Sequence, residues 1–168
     1  EFIEGKTLRS LLQERRLLGW PESLALLKDT AAALGHAHGK GVLHRDLKPA
    51  NIMLAGSGAV KVLDFSVDPG SRGNLPYTAP EQQQGKLTAA IDLYALSVVF
   101  YEMLTGELPF KGPNFPAQKR EALYAPASGL VAGLPNGLDG FFKVALAPEP
   151  RRRFATAEAL AAAAEAAA

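Results

Sequence analysis

The chain of 168 residues is long enough to bury one core, and at 48% apolar and 21% charged it has the composition of an ordinary soluble globular domain. A formal net charge of +1 gives no electrostatic reason to expect nucleic-acid binding. The absence of cysteine excludes disulfides, thiolate metal sites and cysteine nucleophiles, and fits a reducing compartment. In chain order, "TLRSLLQERRLL" carries Leu8, Leu11 and Leu12 at helical spacing and predicts a short helix, punctuated by Gly19 and Pro21. A longer helix follows over 21–39, with Pro21 in its first turn and Leu24, Leu27, Ala31, Leu34 and Ala37 or His38 on one face, ended by Gly39 and Gly41. Short strands are expected at "VLH" (42–44), "NIML" (51–54) and "AVKVLDF" (59–65), the last two joined by "AGSG" as a hairpin.

Residues 66–88 are rich in proline and glycine and predict a loop. An apolar helix over 90–105 stops at Gly106. Its run "IDLYALSVVFYEML", broken by Asp92 and Glu102, falls short of the roughly 20 residues a membrane span needs, so it predicts a buried helix. Residues 107–137 form a proline-rich stretch with one short helix near "PAQKREAL", and two last helices fit 138–147 and 156–168. The fold class expected is mainly α with short β-ribbons. The abrupt opening on "EFIEG" suggests a segment of something longer, and no signal peptide is evident.

The chemistry concentrates in "VLHRDLKPANIML", residues 42–54, where His44, Arg45, Asp46, Lys48 and Asn51 sit inside an apolar frame. Buried charges cost several kcal/mol unless each is paired or used. Asp46 and Asn51 lie five residues apart across a loop, and Asp64 follows 13 residues later at a strand end. Carboxylates and an amide gathered at loop ends suit Mg²⁺, a hard cation that takes its remaining ligands from phosphates and water. On these residues alone, a solvated charged loop beside a hairpin is an equally good reading.

Three motifs in order, "HRDLKPAN", "LDF" and "APE", resemble the protein-kinase signature set: catalytic loop, metal-binding strand end and close of the activation segment. "DLYALSVVFYEMLTGELPF" resembles the central buried helix of kinases, "APEPRRRFATAEAL" the arginine pattern that pairs with the glutamate of "APE", and "EFIEGKTL" the hinge into the large lobe. The resemblance covers essentially all 168 residues and is nearest to bacterial eukaryotic-like serine/threonine kinases. It implies a kinase large lobe spanning 1–168, with the hinge at 1–6 and the small lobe absent. It also implies ATP and Mg²⁺ as cofactors, a protein serine or threonine as acceptor, and the missing small lobe as a partner.

The implied roles are specific. Asp46 would accept the substrate hydroxyl's proton, and Lys48, typical of serine/threonine rather than tyrosine kinases, would neutralise charge on the transferred group. Asn51 and Asp64 would hold Mg²⁺. Glu1 and Ile3 would meet adenine through their backbone, with Met53 under the ring and Thr7 near the ribose. His44 is expected to stack on Phe65, Arg45 to tie the catalytic loop to the activation segment, Asp92 to accept backbone N–H groups from the catalytic loop, and Glu81 to pair with Arg153. His36 and His38 are expected as plain helix-face residues, and Arg151–Arg153 as a solvated cluster around Arg153.

The sequence departs from the family pattern in three ways. Nothing before Glu1 supplies the glycine-rich loop or the lysine–glutamate pair of the small lobe, so this chain alone is expected to bind ATP weakly and transfer phosphate slowly. Ser66 stands where the family has a glycine that permits positive φ. Asn74 stands where a threonine contacts the catalytic aspartate, and Ser71 and Thr78 are the candidate phosphorylation positions, with Thr78 badly placed for added charge. These departures favour a pseudokinase or free-standing regulatory module, but Asp46, Lys48, Asn51 and Asp64 are all retained, so an active kinase lobe is expected. No membrane segment in this chain and no nucleic-acid partner are expected; the segment suits the cytoplasm, and the resemblance leaves open a parent protein anchored in a membrane through other segments.

Overall fold

A computed structural model describes residues 5–65 and 75–168. Its first element is β1 (Gly5–Thr7), and α1 (Leu8–Arg15) follows at once, because the Thr7 side chain accepts the Ser10 N–H and caps the helix. α2 (Trp20–Gly39) begins with Pro21 in its first turn and buries Leu26, Leu27, Thr30, Ala31 and Leu34. The predicted face was thus right at its centre, though Leu24 is only partly buried and Leu26 takes a core position.

The expected strand at 42–44 does not form. Those residues run as irregular backbone, with the Val42 N–H on the Ala37 carbonyl and the His44 N–H on Asp92. β2 (Ile52–Ala55) and β3 (Val60–Val62) make the expected hairpin, shorter at its far end than predicted. β1 adds an unforeseen third antiparallel strand, in the order β1-β2-β3, pairing Thr7 with Met53 and Gly5 with Ala55.

α3 (Ala89–Thr105) is buried around its whole circumference, as a run with no polar face must be. Phe100 at its centre meets Trp20, Phe141 and Phe142 at ring-centroid distances of 6.1, 5.7 and 5.7 Å. Gly106 ends the helix at φ 69°, returning its N–H to the Glu102 carbonyl at 2.8 Å. A Cβ there would come within 3.1 Å of the Arg16 carbonyl oxygen, so conformation and space both select glycine.

The rest of the body is α4 (Phe115–Arg120), the unpredicted turn α5 (Ala127–Leu130), α6 (Leu138–Ala145) and α7 (Ala157–Glu165). α2, α3, α6 and α7 share one core with the small sheet at its edge. This is the mainly helical architecture with short β-ribbons that the pattern implied. Among the described residues, no helix is long and apolar enough to cross a membrane.

Candidate functional site

Residues 42–51 form no ladder, and buried side chains do much to fix them. Asp92 projects from the first turn of α3 and is 1% exposed. One of its oxygens accepts the Arg45 N–H at 2.8 Å, and the other accepts the His44 N–H and His38 Nε2–H, each at 2.8 Å. The expected backbone role of Asp92 is present. His38 corrects the helix-face expectation: it is a second support for that carboxylate, reaching across from α2. Spacing could not reveal this, because the partner lies 54 residues away.

His44 packs against Phe65 with ring centroids 4.8 Å apart. Its Nε2 lies 2.8 Å from the Leu63 carbonyl, so it is the donor there, and Nδ1 is left to accept the Asp46 N–H at 3.3 Å. Both ring nitrogens are therefore committed to backbone, which removes His44 as a general base. Arg45 sits at φ 70°, a left-handed conformation rare for a residue with a Cβ. Its carbonyl accepts from Gln82 Nε2 at 2.7 Å, so the loop is tied toward the "APE" end through backbone. Among the described residues the Arg45 Nε is buried with no hydrogen-bond partner, and the expected tie from its guanidinium falls on a segment that lies mostly outside the described residues.

Anchored in this way, the loop presents Asp46, Lys48 and Asn51 together. Lys48 Nζ lies 2.6 Å from Asp46 Oδ2, with both side chains partly open to solvent. Asn51 donates Nδ2 to the Asp46 carbonyl at 2.9 Å, which leaves Oδ1 as the amide's free hard-oxygen donor. The Leu63 N–H reaches the Asn51 carbonyl at 2.8 Å and sets Asp64, exposed and at φ 56°, one residue beyond that bond. Two of the four non-glycine residues at positive φ among the described residues, Arg45 and Asp64, bracket the loop and the strand end.

Thr7 and Met53 are cross-strand partners, so the structure brings these two nucleotide-side candidates together. Thr7 is also the α1 cap, accepting from Ser10 N at 3.1 Å. Glu1, Ile3, Ser66, Ser71 and Asn74 lie outside the described residues. Among the described residues, no group of three His, Cys, Asp or Glu side chains could hold a metal by itself. The donor set of one amide oxygen and one carboxylate fits a cation such as Mg²⁺, which draws most of its ligands from phosphate and water.

A wall runs beside this loop. Tyr77 Oη donates to Glu102 Oε2 at 2.6 Å. Burial, joined by the neighbouring Glu102 carboxylate, pushes the phenol far above its ordinary range, and burial also raises Glu102. Thr78 is buried, as its poor suitability for phosphorylation required. Glu81 and Arg153 form the expected buried pair, with Nη1–Oε1 at 2.6 Å and Nη2–Oε2 at 2.8 Å, while Arg151 and Arg152 stay exposed.

Sequence reasoning missed Lys119 on α4, which is 0% exposed. It donates to the carbonyls of Leu75 and Thr78 and faces the rings of Tyr94, Phe110 and Phe115. A lysine within the polar run "AQKRE" carries no sign of burial. Burial lowers its pKa from 10.5 to about 8. Below about pH 8 the ammonium is charged in both folded and unfolded chains, and its burial cost is fully present. Between about 8 and 10.5 the unfolded chain holds the extra proton, so this group's effect is that stability rises with pH. Tyr101 and Tyr124, raised to about 12 by burial, act in the opposite sense above pH 10. Urea midpoints measured from pH 7.5 to 9.5 should therefore rise for the wild type relative to Lys119→Met.

A family model described as the protein kinase domain matches residues 1–163. The chain is 34% identical over 176 residues to the serine/threonine-protein kinase PknB of Mycobacterium tuberculosis, covering 94% of this chain and 28% of that protein. It is 34% identical over 174 residues to PknB of Mycolicibacterium smegmatis, with the same coverage on both sides. The crystal structure of the Mycobacterium tuberculosis PknI kinase domain superposes with a TM-score of 0.84 at 29% identity, covering 100% of this chain and 64% of that one. The chain thus spans little more than a quarter of each PknB and under two thirds of the PknI kinase domain.

Proposed function

The chain belongs to the protein kinase family, and on that premise we propose that residues 1–168 form the large lobe of a serine/threonine kinase catalytic domain, with the hinge at 1–6. Its reaction is transfer of the γ-phosphoryl group of Mg·ATP to a serine or threonine hydroxyl of a protein. The observation that carries this reading is the convergence of Asp46, Lys48 and Asn51 on one loop whose backbone is held by Asp92.

Mg·ATP supplies the electrophilic phosphorus and the charge neutralisation on its oxygens. The chain's own residues do the rest by position and charge. Asp46 orients the acceptor hydroxyl and takes its proton. Lys48, 2.6 Å from that carboxylate, is near enough to meet the charge on the transferred group. Asn51 Oδ1 and the Asp64 carboxylate are the metal donors. Met53 and Thr7 face the base and the ribose, with Glu1 and Ile3 as the backbone contacts to adenine.

The metal assignment has a direct test. Titration of a fluorescent ATP analogue with and without Mg²⁺ should show tighter binding with the cation in the wild type, and Asp64→Ala should lose at least about tenfold of that Mg²⁺ enhancement. An enhancement equal in both proteins would contradict the role of Asp64.

A further inference from the structure

The segment 75–78 lies beside Asp46. Asp46, Tyr77 and Thr78 line one small cavity of about 10 Å³. Pro76 and Tyr77 also join Pro49, Leu12, Arg9 and Glu102 around an open groove of about 610 Å³. The shape of that wall depends on how residues 75–78 are held. Tyr77 is fixed from the groove side by Glu102, at 2.6 Å. From the core side the segment is held by Lys119, whose ammonium binds the Leu75 and Thr78 carbonyls together.

The environment of Lys119 is unusual for a residue kept only for stability. Its ammonium is wholly buried, lies 5.5–6.0 Å from the centroids of three aromatic rings and, among the described residues, forms no ion pair. An apolar side chain of similar volume would fill the space without the cost of desolvating a charge. What an apolar residue could not do is grip two carbonyls of one turn, three residues apart, and dictate where that turn sits.

We propose that Lys119 is a positioning residue for the protein substrate: by fixing the Leu75 and Thr78 carbonyls, it sets the wall along which the acceptor peptide reaches Asp46. The proposal rests on the kinase reading above. Lys119 itself does not line the cavity shared by Asp46, Tyr77 and Thr78, so its loss should fall on peptide binding and leave phosphoryl transfer nearly untouched.

The test uses the full chain as it is made in the cell, comparing wild type, Lys119→Met and Lys119→Gln. Steady-state kinetics with a serine peptide and amide hydrogen exchange across residues 75–81 are measured for each. For Lys119→Met the expected result is a peptide KM raised about tenfold or more, with kcat and the KM for ATP within about twofold. Exchange in 75–81 should be faster, and the thermal midpoint no lower than wild type. Lys119→Gln, a shorter donor, should fall between the two. Unchanged peptide KM and exchange in an active, folded Lys119→Met would overturn the proposal. So would a loss of kcat in step with thermal stability, or failure of both variants to fold, since either makes Lys119 merely structural. A wild type that transfers nothing would remove the kinase reading and this proposal with it, an outcome distinct from an active wild type matched by its variant.

Discussion

Replacing Asp46 by asparagine should lower kcat for transfer to a peptide hydroxyl by about a thousandfold, the middle of the range for losing a positioned acid–base group, with ATP affinity and thermal midpoint unchanged. The separation of effects follows from how the loop is built. The Asp46 N–H goes to His44 Nδ1 and its carbonyl accepts from Asn51, so two of the bonds that hold the residue in place are backbone bonds an asparagine keeps. Asp92 fixes the two residues before it in the same manner, through the N–H groups of His44 and Arg45. The substitution changes little in shape and removes the carboxylate's ability to take a proton and to balance Lys48. Single-turnover kinetics with calorimetric ATP binding reads both halves. A variant with kcat within about threefold of wild type would contradict the catalytic role of Asp46.

The largest expected effect on stability belongs to Arg153. Its guanidinium uses all five N–H groups: two to Glu81, and one each to the carbonyls of Ala147, Ala90 and Pro148. It also lies 4.6 Å over the Tyr94 ring. Arg153→Met would leave Glu81, 4% exposed, as a buried carboxylate with no counter-charge, at a cost of about 3–5 kcal/mol. For a chain of this size that lowers the midpoint by on the order of 10 °C. The double variant Glu81→Leu/Arg153→Met removes both charges and should recover most of the loss. Equal destabilisation of the single and double variants, measured by urea unfolding, would show that the packing of Arg153, and not the stranded charge, is what matters.

Much of this molecule could be read along the chain. The helices at 20–39 and 89–105 announce themselves by apolar spacing and by Gly106, and the hairpin at 52–62 by its turn residues. Asp46, Lys48 and Asn51 stand within six residues of one another, so local spacing alone brought them together. What escaped depends on contacts between distant parts of the chain. "VLH" has strand composition, but its Val42 N–H goes to the Ala37 carbonyl at the end of α2 and its His44 N–H to Asp92 instead. His38 supports Asp92 from another helix, and Lys119 is buried between three aromatic rings and the carbonyls of Leu75 and Thr78. Polar residues drawn into the interior by a remote partner carry no periodic signature, and here they hold the loops that carry the chemistry.

The most direct measurement is transfer of labelled phosphate from Mg·[γ-³²P]ATP to a protein substrate by the full chain, with Asp46→Asn alongside and phosphoamino-acid analysis of the product. The account predicts label on serine or threonine from the wild type, at a rate about a thousandfold above the variant. Nucleotide binding by both proteins without transfer above the variant's level would contradict it, and would make this fold a regulatory binding module.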